Sequence, residues 1–87
     1  MKVQVDYYNL KNEKEMGDGS FISKNQELIL IKKDDNDGLL FFETYDDFNK
    51  KLFWTNADDV EFVRTLYEDW EEEKVEERNR YINGEFL

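Results

Sequence analysis

Apolar and polar positions alternate at the start of the chain. Val3, Val5 and Tyr7 alternate with Gln4, Asp6 and Tyr8, the period-two pattern of a half-buried strand. The stretch from Asn9 to Ser20 is polar and ends in Met16-Gly17-Asp18-Gly19-Ser20, which reads as a loop. Phe21-Ile22 begins another short strand. Two apolar runs follow, Leu28-Ile29-Leu30-Ile31 and Leu39-Leu40-Phe41-Phe42. Between them Asn36-Asp37-Gly38 tolerates positive φ, so the runs read as a β-hairpin. Four consecutive apolar residues require cover on both strand faces. Residues 45–54 are expected to hold a short helical turn, with Asp46 as N-cap and Phe48 and Leu52 packed inward.

The last third carries a helical period. Thr55 or Asn56 is a suitable N-cap, and Asp58, Asp59 and Glu61 favour the positive end of a helix dipole. No glycine occurs between Asn56 and Gly84, and the chain has no proline. A helix is therefore predicted over 57–81. At roughly 100° per residue it gathers Val60, Val63, Leu66, Tyr67, Trp70 and Tyr81 on one face. The expected architecture is α+β: a small antiparallel β-sheet of about three strands covered by one long C-terminal helix, in a single acidic domain spanning 1–87.

Composition narrows the function classes. The 87 residues hold 22 acids against 12 bases, for a formal charge of −10. Such a surface repels free nucleic acid and anionic membranes and favours cationic partners. Cysteine and histidine are both absent, which removes thiol chemistry, disulfides, the usual general base and the commonest metal ligands. No apolar run approaches membrane-spanning length and no signal-peptide pattern opens the chain, so a cytoplasmic protein without cofactor is expected. The aromatic share of 16% supplies a core that net charge alone would deny.

Opposite the apolar face, the predicted helix aligns Asp58, Glu61, Glu68, Asp69, Glu72, Glu73 and Glu76 with no intervening base. Like charges at i, i+4 disfavour a helix by about 0.2–0.5 kcal/mol each, so a purely solvated face would intersperse lysines. Neighbours in this row rise roughly 6 Å along the axis, a spacing similar to that of nucleic-acid phosphates. Phe62 falls inside the acidic arc and would anchor an interface if exposed, or pack under the loop around Trp54 if not. Asp34, Asp35 and Asp37 offer a second contact. In size, in the run Glu68-Asp69-Trp70-Glu71-Glu72-Glu73 and in the preceding hairpin, the chain resembles small acidic phage-encoded inhibitors, anti-CRISPR proteins and other DNA mimics. That resemblance implies a protein that occupies the basic groove of a host defence nuclease or another DNA-handling enzyme.

The partner-binding candidates are thus Glu61, Phe62, Glu68, Asp69, Glu72, Glu73, Glu76, Asp34, Asp35 and Asp37. A calcium loop at 34–38 lacks its acids, since Lys33 and Thr44 hold the required positions. Ser20 and Ser23 have no evident activating base, so no enzyme is expected. Two alternatives stand beside the acidic inhibitor. One is an adaptor domain binding through an aromatic patch or a sheet edge, with its acids serving solubility. The other is a homodimer in which a leftover apolar helix face pairs with its twin.

Overall fold

The computed structural model describes residues 1–46 and 49–84. It is built mainly from strands: β1 (Lys2–Leu10), β2 (Lys14–Glu15), β3 (Phe21–Ile22), β4 (Leu28–Asp34), β5 (Leu39–Asp46), β6 (Asn49–Asn56) and β7 (Val60–Asp69). A 3₁₀ turn, Ala57–Asp59, joins β6 to β7, and a helix, α1 (Glu72–Ile82), follows. The large sheet has the order β6-β5-β4-β1-β7, with every neighbouring pair antiparallel. The small strands β2 and β3 pair with each other.

The alternation in β1 and the β4–β5 hairpin form as the pattern predicts. Gly38 closes that hairpin at φ 66°, a conformation that glycine adopts without a Cβ clash. Asp34 Oδ1 accepts the Asn36 N–H at 3.1 Å within the same turn. The 3₁₀ turn docks on two distant segments: Ala57 N–H donates to Gly38 O at 3.0 Å, and Lys11 N–H donates to Asp59 O at 2.9 Å. These bonds hold the β6–β7 passage against the ends of β1 and β5.

Both faces of the sheet are covered, as the continuous apolar runs require. One face gathers Leu10, Ile22, Leu28, Leu40, Phe42, Phe53 and Val60 into the main core, closed by Ile22 from the small hairpin. Phe42 is fully buried, with Tyr8 at 5.3 Å and Phe53 at 5.9 Å between ring centroids. The other face carries Val5, Tyr7, Ile29 and Trp70, with Val3 and Val75 packed against them.

The expectation of about three strands under one long helix is overturned. The large sheet alone has five strands, and the predicted 57–81 helix divides into the 3₁₀ turn, a ten-residue strand and an eleven-residue helix. Val60, Phe62, Val63, Thr65 and Tyr67 are β-branched or aromatic, and they lie extended against β1 rather than coiling. The expected helical turn at 45–54 is also replaced: Asp46 ends β5, and Leu52 lies in β6 opposite Glu43. Phe48 lies outside the described residues.

Helix α1 has no fully buried residue of its own. Polar contacts seat it on the sheet. Lys50 pairs with Glu77 and donates to Tyr81 Oη at 3.0 Å, and Arg78 donates to Gln4 O at 3.1 Å. Lys74 and Arg78 lie over the Trp70 ring at 4.1 and 5.3 Å.

Candidate protein-binding edge

Strand β7 forms one edge of the large sheet, and among the described residues only β1 pairs with it. In an antiparallel strand the backbone groups alternate in direction, so half of those in β7 face the open side. Natural edge strands are commonly short or carry lysine or proline, which discourages further pairing. β7 is ten residues long and contains neither. Val60 is buried and Glu68 partly so; the other residues of the strand are exposed.

The edge has two chemically distinct faces. Gln4 pairs with Tyr67 and Asp6 with Thr65, while Val5 pairs with Leu66 and Tyr7 with Arg64. The register then slips, with Tyr8 opposite Phe62, which leaves Val63 as the extra residue of a β-bulge. Phe62, Thr65 and Tyr67 therefore share the face of the main core. Tyr67 is 71% exposed and Phe62 57%, the Phe62 ring meeting Tyr8 edge-on at 5.5 Å. Arg64, Leu66 and Glu68 occupy the helix side. Arg64 bonds Glu27 at 2.6 Å and lies 4.8 Å above the Tyr7 ring.

Side-chain contacts tie the strand to β1 and to Trp70 beyond the bulge. Thr65 Oγ1 donates to Asp6 Oδ1 at 2.6 Å, and Lys2 pairs with Asp69 at 3.2 Å. Trp70 Nε1 donates to Glu68 at 3.0 Å, and the Tyr7 hydroxyl donates to the other oxygen of the same carboxylate. Those two donors hold the Glu68 carboxyl below its ordinary range, the Trp70 bond being the larger cause. Burial, followed by the bond to Glu68, pushes the Tyr7 hydroxyl up to about 12.

The acidic candidates do not form one row. Glu61, Phe62, Glu68 and Asp69 lie on β7, where Glu68 and Asp69 already have protein partners. Glu72, Glu73 and Glu76 are exposed on α1. Asp34, Asp35 and Asp37 belong to the β4–β5 hairpin, with Asp35 and Asp37 exposed at its turn. The stripe fails because it assumed a helical turn every 3.6 residues through 60–69, where the chain is extended. Val63, Leu66 and Tyr67, expected to pack inward on that helix, are instead solvent-facing residues of the edge. Their signal was the density of β-branched and aromatic residues between Val60 and Tyr67.

Comparison with protein-family models, curated proteins and solved structures gives no match. Among the described residues no cluster of histidine, cysteine or carboxylate has a metal-holding arrangement, and no helix is long and apolar enough to cross a membrane.

Proposed function

We propose that this protein is a non-catalytic interaction domain that captures an extended segment of another protein by strand addition to β7. The observation that carries this reading is the ten-residue edge, open on one side and exposing Phe62, Val63, Leu66 and Tyr67 together. In strand addition the backbone supplies affinity and alternate side chains supply selectivity. The bulge at Val63 divides the edge, leaving 64–69 as the regular stretch for pairing and Phe62 as an aromatic contact at its end.

The test is selection of extended peptides from a displayed library on the immobilised domain, followed by amide hydrogen exchange of each complex. Bound peptides are expected to slow exchange across 64–69 and to be lost on Tyr67→Lys, a change at an exposed position. Binders that leave β7 exchange untouched and survive Tyr67→Lys would refute the edge reading.

A second reading keeps the acidic surface as the binding element, occluding a basic nucleic-acid-binding groove in the manner of a DNA mimic. The net charge of −10 and the exposed Glu72, Glu73 and Glu76 favour it. It predicts binders that map to α1, weaken steeply with salt and fail when those three residues become lysine.

A further inference from the structure

Resting on the strand-addition reading, we infer that the segment taken up by β7 is a cationic strand of alternating character, apolar side chains on one face and lysine or arginine on the other. The two faces of the edge dictate this. On the core side an added strand meets Phe62, Thr65 and Tyr67, an aromatic surface with a small residue between its rings. Apolar side chains of the incoming strand bury these rings, the cross-strand contact that most stabilises a sheet pair. On the helix side the added strand meets Arg64, Leu66 and Glu68, with exposed Glu61 beyond the bulge. Arg64 is already neutralised by Glu27. Glu68 accepts from Trp70 and Tyr7, which leaves acceptor positions on its two oxygens for an incoming cation. Glu71, Glu72 and Glu73 follow along the chain, and with Glu68 and Asp69 they outnumber the cations at this end, the Met1 amino group, Lys2, Lys74 and Arg78.

Charge also decides between a foreign segment and a second copy. Leu66 placed opposite its own symmetry mate would set Arg64 against Glu68 of the twin, a locally favourable register. Each copy nevertheless carries a net charge of −10. A cationic segment relieves this repulsion and a second copy doubles it, so the occupant is a basic strand from another protein.

The experiment uses blocked ten-residue peptides with a fluorescent label, read by anisotropy and by amide exchange of the unmodified protein. The probes are alternating lysine/valine, alternating glutamate/valine, and a lysine/valine peptide of equal charge interrupted by prolines. The alternating cationic peptide is expected to bind at least ten-fold tighter than either other probe, to slow exchange at 64–69, and to lose at least ten-fold on Tyr67→Lys. Phe62→Lys provides a second exposed variant if the first misfolds. Equal binding of the cationic and anionic alternating peptides at β7 would overturn the charge inference and leave strand addition standing. Equal binding of the proline-interrupted peptide would reduce the effect to bulk attraction and overturn it. No β7 protection by any probe would remove both the inference and the edge reading. Concentration-dependent dimerisation with protection at 64–69 would assign the edge to a second copy and overturn the cationic partner.

Discussion

Replacing Trp70 by alanine should be the most damaging single change on the helix side of the sheet. The residue is 5% exposed and packs with Val5, Tyr7 and Ile29. Aromatic side chains bury about 150–250 Å² each, and at about 25 cal/mol per Å² that is about 4–6 kcal/mol. Residual burial in the unfolded chain lowers this by about 10–40%, to about 2–5 kcal/mol, a range that contains the usual cost of truncating a core tryptophan. Trp70→Phe separates ring from donor: it keeps an aromatic ring at the site and loses the Nε1 bond to Glu68. Bonds to charged groups contribute about 1.5–3 kcal/mol, and the partial exposure of Glu68 places this one at about 1–2 kcal/mol. The order of cost is therefore Trp70→Ala, then Trp70→Phe, then Phe62→Ala at an exposed edge position. Equilibrium urea unfolding followed by far-UV circular dichroism reads all three. A Trp70→Ala cost below about 1.5 kcal/mol, or one equal to that of Phe62→Ala, would refute the packing described for this face.

The remaining predictions concern charged contacts. Because Trp70 and Tyr7 hold the folded Glu68 carboxyl below its ordinary 4.5, Glu68 contributes stability that is complete above that value and lost as pH falls through the lowered one. Glu68→Gln should flatten the acid limb of melting temperature against pH, and an unchanged limb would show that the pair does not form. The Tyr7 hydroxyl acts at the other end of the scale, its contribution present below pH 10 and lost as pH rises towards about 12. Lys50→Met should cost about 2–3 kcal/mol, since it leaves the buried Glu43 carboxylate without its cation and removes the tie from β6 to Glu77 and Tyr81. Amide exchange in α1 should quicken in that variant, and unchanged exchange would mean that Lys50 does not hold the helix.

Parts of the first half of the chain were legible because their patterns are local, although the end of β1 and the whole of β2 lie in the stretch 9–20 expected to be a loop. The alternation of Val3, Val5 and Tyr7 and the Gly38 hairpin depend on neighbours within a few residues, and both form. The error after residue 57 has an equally definite cause. Val60, Val63, Leu66, Tyr67 and Trp70 fit a helical period while the β-branched and aromatic residues among them favour a strand, and acids before them imitate an N-terminal helix turn. Pairing with β1 resolved the ambiguity, an interaction that no window of sequence contains. Of the candidate site, Glu61, Phe62, Glu68 and Asp69 were named as individual residues, on the premise of a helix. The edge itself was not, because exposure of Leu66 and Tyr67 follows from their place at the sheet margin.

The closure of β1 on β7 also governs how this chain can fold. Tyr7 and Glu68 meet although 61 residues apart in sequence, so their contact carries a large loop-closure entropy. The β4–β5–β6 meander needs only short closures and can assemble first. Trp70 and Val75 join Val5, Tyr7 and Ile29 only after the long closure, so the second core must be a late event. Until then those three apolar residues lack their cover. During synthesis, that interval lasts at least until the chain has been made through α1, and it sets the period in which aggregation competes with folding.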